Sequence, residues 1–146
     1  MDIPGLVTIF QNPNATHEDI LRSITGFRKI LSVDHKPPVQ VVINATVLPK
    51  FVQLMTHSDE KIQFEACWAL TNFASTEYTR AVVEHGAIKM LVQMLLSGNP
   101  NMREQSAWCL GNITGDATDL RDLTLEAGEL HYQCLLGALL HIRWRR

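Results

Sequence analysis

Apolar residues in the middle of the chain recur three and four positions apart. Ile62, Ala66, Ala69, Leu70 and Phe73 fall in one stripe at about 100° per residue, the signature of a helix buried along one face. Met102, Ser106, Cys109, Leu110 and Ile113 draw the same stripe again, each 40 residues further on. No segment shows strand-like alternation. The pattern predicts helices over 3–11, 17–33, 79–85, 87–96 and 101–114. Gly86 is placed to end the helix before it, Ser97-Gly98-Asn99-Pro100 is a turn cluster, and Gly115-Asp116 closes the last of these helices. The first copy of the unit runs from Pro37-Pro38 to about Thr79.

The repetition extends beyond the stripe. Trp68-Ala-Leu-Thr-Asn72 returns as Trp108-Cys-Leu-Gly-Asn112 at an offset of 40, and at the same offset Val42 matches Val82, Val52 matches Val92, and Gln53 matches Gln93. Glu84-His85-Gly86 returns as Glu126-Ala127-Gly128 at an offset of 42, so the segment after Asn112 is two residues longer than the one after Asn72. A period of about 40 in an all-helical sequence is that of stacked helical repeats of the armadillo or HEAT class.

The polar side of the two long helices repeats as well. Trp68 lies well off the apolar stripe, Asn72 follows it by one turn and Glu65 shares its side; Trp108, Asn112 and Gln105 repeat that face. A tryptophan in a helix is ordinarily core. Here the residue is off the stripe, has an asparagine as its i+4 neighbour and recurs with it, which suits a ladder on one surface. Indole faces attract alkyl stems and their cationic ends, and an asparagine amide can pair with the backbone of an extended peptide. Such a ladder fits a Lys/Arg-rich extended ligand.

Composition narrows the field. The 146 residues are 46% hydrophobic, enough for a core, and carry a net charge of −2 with a pI near 6.3, which argues against a general nucleic-acid surface. No apolar run is long enough for a membrane span, and MDIPGLVTIF lacks the charged start of a signal peptide. Cys67, Cys109 and Cys134 sit among apolar residues and read as reduced thiols of an intracellular protein. No metal-ligand spacing, phosphate-binding glycine loop or catalytic motif is present, so neither an enzyme nor a cofactor is expected. Asp116, Asp119 and Asp122 taken alone read as a solvated loop.

Gln63-Phe-Glu-Ala-Cys-Trp-Ala-Leu-Thr-Asn72-Phe-Ala-Ser75 resembles the second armadillo repeat of the importin-α family, and Arg103-Glu-Gln-Ser-Ala-Trp-Cys-Leu-Gly-Asn112-Ile-Thr-Gly-Asp116 resembles the third. Phe27-Arg-Lys-Ile-Leu-Ser32, Pro37-Pro38, Val83-Glu-His-Gly-Ala87 and Arg121-Asp-Leu123 fit the same family, and the likeness covers about 1–128. It implies an all-α, right-handed superhelical armadillo solenoid, with a partial first repeat at 1–36, a second at 37–78, a third at 79–120 and the start of a fourth at 121–128. It also implies a nuclear import adaptor of cytoplasm and nucleus that binds classical nuclear localisation signals of cargo proteins and partners importin-β.

By matching, Trp68 and Trp108 sandwich cargo Lys/Arg stems, and Asn72 and Asn112 hold the peptide backbone. Asp116 holds the key lysine, Gln105 adds a contact, and Thr79 helps lock that lysine. Three departures stand out. Ser75-Thr-Glu-Tyr-Thr79 is two residues shorter than the family's Gly-containing loop. The basic segment for importin-β and the later repeats have no counterpart. The match stops after Gly128: Glu129-Leu-His-Tyr-Gln-Cys-Leu and His141-Ile-Arg-Trp-Arg-Arg146 fit no repeat, so 129–146 is read as an aberrant tail of a truncated product or as a capping tail. The competing reading is an armadillo interaction scaffold that has lost cargo binding.

Overall fold

The computed structural model describes residues 2–33 and 36–128; Cys134 and the 129–146 segment lie outside them. The described residues are helical throughout, without a strand, and the chain divides into two compact units between Phe73 and Ala74.

The first unit holds α1 (Ile3–Gln11), α2 (His17–Leu31), α3 (Val39–Asn44), α4 (Leu48–Leu54) and α5 (Glu60–Ala74), whose last residue marks the boundary. Asp2 caps α1 by accepting from the Gly5 amide, with Pro4 in the first turn, where its missing N–H costs nothing. Thr16 and Asp19 form a reciprocal capping box on α2: each side chain accepts a hydrogen bond from the other residue's backbone N–H. The core is aromatic. Phe10, Phe27 and Phe51, fully buried, meet edge-on in a closed triad with centroids 5.2–5.3 Å apart, and Phe73 joins at 5.9 Å from Phe51. Edge-to-face contact sets the positive rim of one ring against the negative face of the next. Lys50 reaches from α4 over the Phe10 ring and donates to the Phe10 carbonyl in the last turn of α1. The predicted stripe of Ile62, Ala66, Ala69, Leu70 and Phe73 is fully buried.

The second unit holds α6 (Thr79–Glu84), α7 (Ala87–Met94), α8 (Pro100–Asp116) and α9 (Thr118–Gly128). Gly86 stops α6 with φ 83°, a left-handed conformation open to glycine without a Cβ clash. Met102, Ser106, Cys109, Leu110 and Ile113 are buried as the stripe predicts.

Helix ends differ from the sequence reading by up to two residues. α2 stops at Leu31, where the Ser32 amide turns back to the Lys29 carbonyl, and α7 stops at Met94. α8 runs through Gly115-Asp116 instead of closing there. Neither residue forces a stop, and the helix ends where Ala117 turns extended (φ −151°, ψ 153°) to start α9.

Candidate functional site

Trp68 and Asn72 occupy successive turns of α5, off its buried stripe, and both are half-buried. Their surroundings come from the end of α2. The Arg28 guanidinium lies 4.3 Å over the Trp68 ring, a cation–π distance, and is fixed there by Glu65, whose carboxylate accepts from Nε at 2.8 Å and from Nη2 at 3.2 Å. Arg28 and Glu65 are 17% and 16% exposed, so the pair is largely screened from water. Phe64 meets the indole edge-on at 5.8 Å. Asn72 Nδ2 donates to Ser32 Oγ at 2.8 Å and to the Arg28 carbonyl at 3.3 Å. One face of Trp68 therefore already carries a cation of the chain itself. Sequence reading placed Phe27-Arg-Lys-Ile-Leu-Ser32 in the repeat but assigned it no part in the site; an arginine and a serine one turn apart were the available signal.

In the second unit, α8 and the short segment before α6 enclose an open cavity of about 550 Å³. Ala74, Ser75, Thr76 and Glu77 form one wall; Gly111, Asn112, Gly115 and Asp116 form the other. Gly111, Asn112, Gly115 and Asp116 share a face of α8 because they sit three and four residues apart. The lining carries two carboxylates, Glu77 and Asp116, and no cationic side chain; among the described residues neither carboxylate has a hydrogen-bond or ion-pair partner. Such a cavity is suited to a cationic side chain, with the Asn112 amide beside it.

Of the predicted residues in this unit, Asn112 and Asp116 line the cavity together. Trp108 is 49% exposed and does not line it. Gln105 is buried at 6% exposure and Thr79 at 1%. The Thr79 hydroxyl lies 3.1 Å from the Ala74 carbonyl and 2.8 Å from the Thr76 carbonyl, and its proton is shared between them. Thr79 thus fastens the 74–77 wall from behind instead of pointing into the opening. Glu77 escaped sequence reading, which noted only that this loop is short. Near the cavity, Arg80 forms a two-pronged pair with Asp119, Nη1 at 2.9 Å and Nη2 at 3.2 Å. Hydrogen bonding to Arg80 holds the Asp119 carboxyl below its ordinary value. Among the described residues there is no group of three or more His, Cys, Asp or Glu placed to hold a metal ion, and no helix long and apolar enough to cross a membrane.

Comparison with known proteins agrees with this architecture. The Armadillo/beta-catenin-like repeat matches twice, at 35–75 and 75–115. Importin subunit alpha-2 of Arabidopsis thaliana is 49% identical over 113 residues, which are 75% of this chain and 21% of that protein. Importin subunit alpha-1b of Oryza sativa subsp. japonica is 41% identical over 132 residues, 88% of this chain and 24% of that one. The chain thus spans about a fifth to a quarter of these relatives. Among solved structures, a designed armadillo repeat protein in complex with the peptide (KR)4 superposes with a TM-score of 0.79 at 26% identity, covering 98% of this chain and 57% of that one. A second designed armadillo protein gives 0.78 at 22% identity, over 87% of this chain and 53% of that one. With the repeat matched over more than half of its length, the chain belongs to the Armadillo/beta-catenin-like repeat family, and its curated relatives are importin-α subunits.

Proposed function

We propose that the chain binds Lys/Arg-rich nuclear localisation peptides of cargo proteins in extended conformation, as part of a nuclear import adaptor working with importin-β between cytoplasm and nucleus. The observation that carries this reading is the cavity of the second unit, where Asn112 and Asp116 stand beside Glu77 with no cation in the lining. A lysine entering it meets two carboxylates at its ammonium end, while Asn112 offers both donor and acceptor to the peptide backbone. Trp108, half-exposed one turn before Asn112, offers an indole face to a neighbouring alkyl stem. Gln105 acts through packing at its buried position, and Thr79 by holding the wall. Trp68 and Asn72 form a second station in which Arg28 shares the indole with the ligand. The importin-α names of the relatives and the (KR)4 peptide of the designed neighbour support the same ligand class.

The test is a titration of a fluorescent Lys-rich localisation peptide against the chain. Asp116→Ala is expected to weaken a peptide with lysine at the central position by about 1.5–3 kcal/mol, the range for a hydrogen bond to a charged group, and to matter far less once that lysine is alanine. Asn112→Ala is expected to weaken both peptides with helicity unchanged by circular dichroism. Zero coupling between Asp116 and the peptide lysine in a double-mutant cycle rules the lysine pocket out. The alternative, an armadillo scaffold without cargo binding, is favoured by one feature: Arg28 already covers a face of Trp68. It predicts no saturable binding of the peptide at all.

A further inference from the structure

We infer that Asp119 is a positioning residue for the cavity: by holding the Arg80 guanidinium, it keeps the chain's own cation off Asp116 and leaves that carboxylate to an incoming lysine or arginine. The inference rests on the binding reading above and adds the device that keeps the site open.

Arg80 is the second residue of α6, three residues beyond Glu77 of the cavity wall. Asp116 ends α8 and Asp119 is the second residue of α9, with the extended Ala117 between the two helices. Arg80 is held above its ordinary value by the hydrogen bonds to Asp119 first, then by the Asp119 charge, and further by the charges of Glu84 and Asp116. One guanidinium therefore has three carboxylates in its electrostatic reach. Among the described residues its hydrogen bonds go to Asp119 alone, through both terminal nitrogens onto both carboxylate oxygens. With both terminal nitrogens turned to Asp119 the end-on fork is occupied, and only the Nε edge and the outer N–H groups remain for another acceptor.

The pair is shallow. Arg80 and Asp119 are 54% and 58% exposed, so water and salt weaken it and Arg80 is not locked in place by burial. Without the Asp119 carboxylate, two acceptors remain for Arg80. Glu84 lies four residues later on α6, in the less favourable order with the cation N-terminal to the acid. Asp116 carries no hydrogen bond or ion pair among the described residues, lines the cavity, and is one of the charges that act on Arg80. Arg80 seated on Asp116 would neutralise a wall of the cavity and fill part of its mouth.

The experiment uses the full chain and a fluorescein-labelled (KR)4 peptide. Asp119→Asn is expected to weaken binding about three-fold, in the range of exposed ion pairs. Arg80→Gln alone is expected to change it little, and Arg80→Gln added to Asp119→Asn is expected to restore it. In an Asp116→Asn background, Asp119→Asn is expected to have no effect, and Asp119→Glu is expected to bind as the unaltered chain does. Equal gains from Arg80→Gln with and without Asp119 would mean that only net charge acts, and would overturn the inference; so would an Asp119→Asn effect that survives in Asp116→Asn. If the unaltered chain does not bind the peptide, the binding reading has failed. The positioning claim then stands or falls on a crystal structure of peptide-free Asp119→Asn: Arg80 on Asp116 supports it, and Arg80 on Glu84 or in solvent refutes it.

Discussion

Arg28 makes three kinds of contact at once: a fork to Glu65, a stack on Trp68, and, through its carbonyl, an acceptor for Asn72 and Ser32. Truncating the side chain removes the first two and leaves Glu65 mostly buried without its counter-charge. Arg28→Ala is therefore expected to lower stability by about 2–4 kcal/mol in urea unfolding, and Glu65→Gln in the same chain is expected to recover part of it, because an orphaned buried charge costs more than an absent pair. Equal loss in the single and double variants would mean that packing on Trp68, and not charge, dominates. At this scale the pairs Trp68/Asn72 and Trp108/Asn112 were legible, since i, i+4 spacing and recurrence need no tertiary knowledge, whereas Asp116 does not recur and was singled out by the family resemblance alone. Arg28 was hidden because its partner Glu65 lies on another helix. Thr79 was singled out by matching; that its hydroxyl bonds the carbonyls of Ala74 and Thr76, five and three residues before it, is not revealed by spacing alone.

Among the elements, the short link between α5 and α6 lines the cavity through Ser75, Thr76 and Glu77. Its shape depends on the buried Thr79 hydroxyl. Thr79→Val keeps the volume and removes the bonds; it is expected to cost about 1 kcal/mol of stability and to weaken peptide binding through a displaced Glu77 wall, while Thr79→Ser restores both. An unchanged Tm for Thr79→Val would remove the hydroxyl from this account.

The start of α2 gives a pH prediction. Hydrogen bonds from the Thr16 side chain and then the Thr16 backbone, helped by the Arg22 charge, hold the Asp19 carboxyl below its ordinary 3.8. A lowered folded value means that the contribution is fully present above the unfolded value and is lost as pH falls through the folded one. Thr16→Ala is expected to cost about 0.5–2 kcal/mol near neutral pH, and the gap between variant and unaltered chain is expected to narrow below about pH 4. The long helices were legible from the 3.6-residue period, but α9 was not: Asp119 and Asp122 read as a solvated loop and lie in a helix. Helix ends were less legible: Gly115-Asp116 reads as a breaker, but glycine is tolerated within a helix and the stop comes from the backbone at Ala117.

For the molecule as a whole, the 40-residue recurrence announced the armadillo architecture because each repeat buries its stripe against neighbours of the same kind. What recurrence cannot give is which copy departs from the pattern. The two-residue difference between the segments after Asn72 and Asn112 marked where the copies diverge, and the cavity wall of Ser75, Thr76 and Glu77 lies in that stretch. With two Trp/Asn pairs in the chain, peptide recognition is expected to be monopartite. Adding a second basic cluster beyond a linker of about 10 residues is expected to gain less than about two-fold in affinity, since avidity requires a separate second site and both Trp/Asn pairs serve one extended peptide. A gain of tens-fold in the same titration would disprove this.

The phenylalanine triad joins α1, α2 and α4, segments far apart along the chain, and Phe73 extends it to α5. No ring in it finds its edge-on neighbours until the others have arrived, so α1 gains little from forming early. Amide protons of these four helices should therefore exchange with deuterium together, through one shared opening event and not helix by helix. Phe10→Leu would be expected to speed exchange in α4 and α5 as well as in α1, which makes the N-terminal helix a cooperative member of its unit and not a frayed appendage.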